Sequence, residues 1–123
     1  MPIITVWGIS RSDSMGIDER RKLRSLELNL KAVVASVPEL ELTPQDVTCF
    51  FPQAHTDSRD IIMFVDGLFE NTRRTIAVRR QLAEMLVDCI RTESADDSQL
   101  VECFIRPFNP GWGFAMSRPI PKE

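Results

Sequence analysis

The chain has no tyrosine and a single histidine, His55, among its 123 residues. Chemistry that needs a pair of histidines is excluded. His55 falls in the polar stretch 53–60, where a loop histidine is commoner than a metal ligand or catalytic base. Cysteine is sparse as well. Cys49, Cys89 and Cys103 form an odd set without Cys-x-x-Cys spacing, which argues against a disulfide framework or a zinc site and for buried thiols. No apolar run approaches the roughly 20 residues that cross a bilayer, and the apolar opening is too short for a signal peptide, so no membrane partner and a cytoplasmic location are expected. Net positive charge is also missing. Fifteen Lys and Arg against 18 Asp and Glu leave −3, which disfavours nucleic acid as a partner. The run Arg20, Arg21, Lys22 and Arg24 is interleaved with Asp18, Glu19 and Glu27, the pattern of a solvated helix face.

What is present is the composition of one soluble domain over 1–123, with 43% hydrophobic and 27% charged residues. Ile3–Trp7 is β-branched and aromatic and ends at Gly8, a strand with a breaker behind it. After a loop over Ser10–Gly16, Asp18 is placed to cap a helix on which Leu23, Leu26, Leu30, Val33 and Val37 form one stripe. Pro38 stops that helix, Thr43–Asp46 turns the chain, and Val47–Phe51 reads as a second strand. The continuous apolar run Ile61–Val65 suits a strand buried on both faces, broken by Asp66-Gly67. Asn71 or Thr72 then caps a second helix, with Val78, Leu82, Met85 and Cys89 on one side. Arg73, Arg74, Arg79 and Arg80 crowd its opening turns, where cations oppose the helix dipole. Ser94–Ser98 reads as a loop, Leu100–Ile105 as a fourth strand, and the segment from Pro107 as a Pro- and Gly-rich tail holding Trp112 and Phe114.

The pattern is β-α-β twice, in units 1–52 and 60–114 joined by 53–59 and followed by a tail over 115–123. It predicts an α+β fold, a four-stranded mixed sheet with two helices on one face. The other face is left bare, so self-association is expected.

Met1-Pro2 ahead of a strand, the duplicated layout and the closing Asn109-Pro110-Gly111-Trp112-Gly113-Phe114 together resemble the tautomerase superfamily. The similarity is greatest to its fused two-unit members, such as cis-3-chloroacrylic acid dehalogenase and malonate semialdehyde decarboxylase. Phe64-Val65-Asp66-Gly67-Leu68, continuing into Gln81-Leu82-Ala83, looks like the third strand and second helix of the dehalogenase. The resemblance implies a cofactor-free enzyme, trimeric, acting on a small carboxylate. Its acid and base would be the amine of Pro2, exposed once Met1 is removed. A free α-amino group ionises at about 7.7 to 8.0, and an apolar or cationic pocket lowers that further. Such an amine is suited to moving a proton beside a carbonyl, or, when protonated, to hydration or decarboxylation.

Carried onto this chain, Gly8-Ile9-Ser10-Arg11-Ser12-Asp13 resembles the Gly-Arg-Ser-Asp setting that follows the first strand in short members, which makes Arg11 a substrate-binding candidate. Arg73 and Arg74 occupy the region where fused members clamp a carboxylate, and helical spacing leaves only one of them facing a pocket. Trp112 matches the aromatic residue near the substrate, and Asp46 resembles an acid of the decarboxylase. Plainer roles stand beside these: a residue after Met1 that merely permits its cleavage, solvated arginines, a subunit-interface tryptophan and a turn aspartate. The family's dehalogenase histidine and water-activating glutamate have no counterparts, and position 101, a second substrate arginine in short members, is valine. The alternative to an enzyme is an oligomeric binding or interaction protein on the same scaffold.

Overall fold

The computed structural model describes residues 1–9, 16–52 and 60–119. Its elements are strand β1 (Ile3–Trp7), helix α1 (Ile17–Ser36), short 3₁₀ turns at Pro38–Leu40 and Pro44–Asp46, strand β2 (Thr48–Phe50), strand β3 (Ile61–Phe69), helix α2 (Ile76–Glu93), strand β4 (Val101–Phe108) and a last 3₁₀ turn at Pro110–Trp112. The sheet order is β2-β1-β3-β4, with β1 parallel to β2, β3 parallel to β4, and β1 antiparallel to β3 at the centre. Each parallel pair is bridged by its helix, and the two β-α-β units meet along one antiparallel seam.

Alternation on β1 and β3 sends Ile4, Val6, Ile61, Met63 and Val65 into the core. The helices answer with Leu26, Leu30 and Val34 on α1 and Leu82, Leu86 and Ile90 on α2. Burying each such side chain contributes about 2 kcal/mol, so these residues dominate the stability of the single chain. The α1 stripe closes on Val34, and Val33 only packs against its margin, because a 3.6-residue period carries the stripe from Leu30 to i+4. On α2 the centre of the buried face is likewise Leu82, Leu86 and Ile90, with Val78, Met85 and Cys89 along its flank.

Several local expectations are corrected. Gly16, not Asp18, is the N-cap of α1, and Asp18 and Glu19 instead complement the dipole from inside the first turn. Strand β2 is shorter than Val47–Phe51 by a residue at each end. The Asp66-Gly67 pair does not end β3. The strand runs on to Phe69 through a bulge between Val65 and Leu68, where Gly67 takes φ of +75°. In the single chain β3 is buried only on its helix face, with Ile62, Phe64 and Asp66 half-exposed on the other. Strand β4 starts one residue later than Leu100 and continues through Pro107, which an edge strand tolerates because its outward position needs no N–H. The three thiols are half-buried rather than buried.

Candidate functional site

Strand direction decides what can meet. β1 and β2 begin at the same end of the sheet at which β3 and β4 finish, so Pro2, Thr48, Phe69 and Phe108 gather at one end. Pro2 is buried beneath an exposed Met1, and its carbonyl accepts from the Thr48 N–H at 3.1 Å. Gly67 backs it. A β-carbon there would stand 2.7 Å from the Met1 carbonyl oxygen and 3.7 Å from the Pro2 α-carbon, so only glycine allows the strand to pass this close.

Asp46 lies on the approach to β2. Its carboxylate accepts from the Thr43 N–H at 2.8 Å and from the Thr43 hydroxyl at 3.1 Å. These bonds hold its pKa below the ordinary carboxylate value.

Arg73 and Arg74 do not stand on α2. The helix is capped by Thr75, whose hydroxyl accepts from the Val78 N–H at 3.3 Å, and the two arginines precede it in a turn. That turn is set by Asn71, whose side-chain oxygen accepts from the N–H groups of Arg73 at 2.9 Å and Arg74 at 3.0 Å. The 100° spacing expected for helical neighbours therefore does not apply, and bonding partners distinguish the pair. Arg73 is exposed and pairs with Glu41. Arg74 donates to the Phe69 carbonyl and the Leu40 carbonyl, both at 2.7 Å, tying the end of β3 to the first 3₁₀ turn. Burial lowers its pKa, partly offset by Glu41, and its Nε has no partner. A shallow hollow of about 490 Å³ lies beside it, bounded by Asn71, Arg74, Thr75 and Arg79.

The aromatic residues of the closing segment collect at the same end. Asn109 caps the last turn by accepting from the Gly111 N–H at 2.9 Å, and this turn sets Trp112 edge-on to Phe108 with ring centroids 6.1 Å apart. Phe114 stands edge-on to Phe69 at 4.8 Å. Trp112 remains 70% exposed, so its indole is available to a ligand or to another copy.

Sequence reasoning missed Asp66 and Arg106. Both lie on the bare face of the sheet, and the Arg106 Nε and Nη2 each donate to one Asp66 carboxylate oxygen at 2.6 Å. The guanidinium carbon is 4.3 Å from the centroid of the Phe64 ring, which itself stacks on Phe104 at 5.4 Å. Asp66 raises the Arg106 pKa further, so this cation persists at any working pH. Alternation along β3 and β4 would have placed both on one face, but only once β4 was known to reach past Ile105.

Of the remaining expectations, Arg11 and His55 lie outside the described residues. Beyond the far end of β2, a hollow of about 400 Å³ is lined by Arg20, Arg24, Cys49, Phe50 and Phe51. Burial is the main cause that pushes the Cys49 thiol up to about 11 and those of Cys89 and Cys103 to about 12, which leaves all three protonated near neutrality and poor as nucleophiles. Among the described residues no helix is long and apolar enough to cross a membrane, and no cluster of His, Cys, Asp or Glu is suited to a metal ion.

No protein-family model matches the chain, and no curated protein matches it by sequence. Solved structures do resemble it. A domain of unknown function (DUF1904) from Sebaldella termitidis gives a TM-score of 0.64 at 16% identity, covering 94% of this chain and 95% of that one. N1, a member of the cis-3-chloroacrylic acid dehalogenase family, gives 0.62 at 11% identity, covering 98% and 84%. A fused 4-OT that forms a symmetric trimer gives 0.60 at 13% identity, covering 87% and 85%. At such identities the likeness is one of fold, and the chain has the tautomerase-superfamily fold.

Proposed function

We propose that this protein is a cofactor-free enzyme that moves a proton on a small keto or enol acid, with Pro2 as acid and base once Met1 has been removed. The observation that carries the reading is the convergence at one sheet end of Pro2, the cations Arg73 and Arg106, and the exposed ring of Trp112. The fold shared with a dehalogenase-family member and with 4-OT agrees with it.

In this reading the Pro2 nitrogen takes a proton from the carbon beside the substrate carbonyl. The electron pair of that C–H bond forms the carbon–carbon double bond as the carbonyl π pair moves to oxygen, which takes a proton from the prolyl ammonium or solvent to give the enol, and the ketone forms by the same steps reversed. A free α-amino group ionises at about 7.7 to 8.0, so part of it is unprotonated and basic near neutrality. Arg73 exchanges Glu41 for the substrate carboxylate, an inexpensive exchange for an exposed ion pair. Arg74, committed to two carbonyls, holds the turn in place. Trp112 covers the substrate, and Asp46, which the Thr43 bonds keep ionised, serves as a carboxylate on the approach to β2 rather than as an acid.

A trimer completes the account. The bare sheet face carries Ile3, Phe50 and Phe104, all exposed, and such a surface is rarely left in water. A closed ring would cover it. Light scattering on the eluting protein should give three times the 14.0 kDa chain mass, and a stable monomer would remove this part. The enzymatic reading is tested by conversion of phenylpyruvate between enol and keto forms. Activity should be present in the Met1-free protein and greatly reduced in Pro2→Ala; no activity, or none lost, would refute it.

The second reading is a binding protein on the same scaffold, in which Met1 stays attached and the Pro2 nitrogen is an amide without useful basicity. Retention of Met1 in the mature protein would select it.

A further inference from the structure

We propose that Arg106, aligned by Asp66 and Phe64, is a substrate-binding residue of the Pro2 site, and that it holds a carboxylate by the guanidinium edge that Asp66 leaves free. This rests on the reading of Pro2 as the reactive group, but its geometry is independent of that chemistry.

A guanidinium carries five N–H groups and can grip a carboxylate along its Nε–Nη side or across its two terminal nitrogens. Asp66 takes the first edge, through Nε and Nη2. The terminal edge has no partner among the described residues, so a second carboxylate can bind there in the same two-bond manner. The group is also fixed in place. Asp66 locks its rotation in the plane, and the face of Phe64 supports it from below, with Phe104 stacked behind. An arginine held this way loses little further freedom on binding a ligand.

Its position relative to Pro2 follows from the register. Arg106 stands on β4, but both groups that hold it, Asp66 and Phe64, are on β3, so the side chain reaches back across the sheet towards β1. Asp66 is the partner of Ile3, and Gly67 touches Met1 and Pro2. Asp66 is followed directly by Gly67, so the Asp66–Arg106 pair stands at the Pro2 end of the sheet, on the face from which the Ile3 side chain projects. Arg74 is committed to backbone carbonyls and Arg73 must release Glu41 before it can take a carboxylate, whereas Arg106 keeps Asp66 and still offers its terminal edge. The pair Asp66–Arg106 thus selects a substrate with an acidic group, and Asp66 acts as a positioning residue for it.

The test is direct binding of phenylpyruvate, compared with phenylacetone, which has the ketone but no carboxylate, to the Met1-free protein and to its Arg106→Met, Asp66→Asn and Pro2→Ala variants. The unmodified protein should prefer phenylpyruvate. Arg106→Met should lose about 10- to 100-fold of phenylpyruvate affinity, as expected for a charged two-bond contact, with phenylacetone affinity unchanged as the sign of an intact fold. Asp66→Asn should lose part of the preference, and Pro2→Ala should keep it. In turnover the same Arg106→Met loss should appear in KM rather than kcat. Equal affinity of Arg106→Met and the unmodified protein for phenylpyruvate, or no preference for the carboxylate at the start, would overturn the proposal. Binding that survives without turnover would instead count against Pro2 as the reactive group.

Discussion

Gly67 presses against Met1: the absent β-carbon of Gly67 would lie 2.7 Å from the Met1 carbonyl oxygen, in a residue whose φ is +75°. A side chain here meets backbone, which cannot rotate away, and also pays for the left-handed conformation. In the chain that keeps Met1, Gly67→Ala should destabilise the fold by about 2 kcal/mol or more, lowering Tm by roughly 5 to 10 °C, and should displace the N-terminal segment; in the Met1-free chain, where that carbonyl is gone, only the left-handed strain of about 1 to 2 kcal/mol remains. Thermal unfolding measures the first effect, and backbone NMR shifts at Ile3 and Thr48 measure the second.

The two neighbouring arginines should separate cleanly. Arg74→Met leaves the Phe69 and Leu40 carbonyls without their donors and should cost about 2 kcal/mol in urea unfolding. Arg73→Met loses only an exposed pair with Glu41 and should cost less than about 1 kcal/mol, while weakening the binding of a keto acid. Equal stability of the two variants would contradict the assignment of Arg74 as the anchor.

Asp46 gives the fold an acid dependence whose sign is fixed. Its pKa is lowered in the folded chain, chiefly by the Thr43 N–H and hydroxyl, so its contribution is fully present above the ordinary value of 3.8 and is lost as pH falls through the lowered value. Asp46→Asn should be less stable than the unmodified protein near neutrality. The gap should close as the pH drops below 3.8, and Tm measured against pH in both proteins checks it.

The thiols should be slow. With Cys49 near 11 and Cys89 and Cys103 near 12, alkylation by iodoacetamide at neutral pH should proceed far more slowly than for free cysteine, and phenylpyruvate turnover should survive it. Rapid loss of activity on alkylation would indicate a thiol in the chemistry.

Periodicity made the layers legible in the sequence, and local punctuation caused the errors. The stripes containing Leu26, Leu30 and Leu82 and the alternation of Ile4 and Val6 identify the two helices, the strands and the bare sheet face. Asp66-Gly67 misled because Asp-Gly commonly ends a strand; here the glycine builds a bulge around Met1, a contact 66 residues away in sequence that no local pattern encodes. Arg73 and Arg74 were placed on a helix because Asn71 is a good cap. Asn71 does cap backbone N–H groups, but those of a turn, and Thr75 takes the helix. Arg106 was hidden by Pro107, which reads as a strand end although an edge strand accepts it. Its pairing with Asp66 depends on the register between β3 and β4, which the sequence does not reveal.

The central claim is that a free prolyl nitrogen carries the reaction, and the most direct measurement compares the same chain with and without Met1, each confirmed by intact mass, in the conversion of phenylpyruvate. The account predicts activity in the Met1-free form that fades as the pH falls and the amine takes up a proton, and no activity above solvent in the form whose Pro2 nitrogen is an amide. Equal rates in the two forms would contradict it.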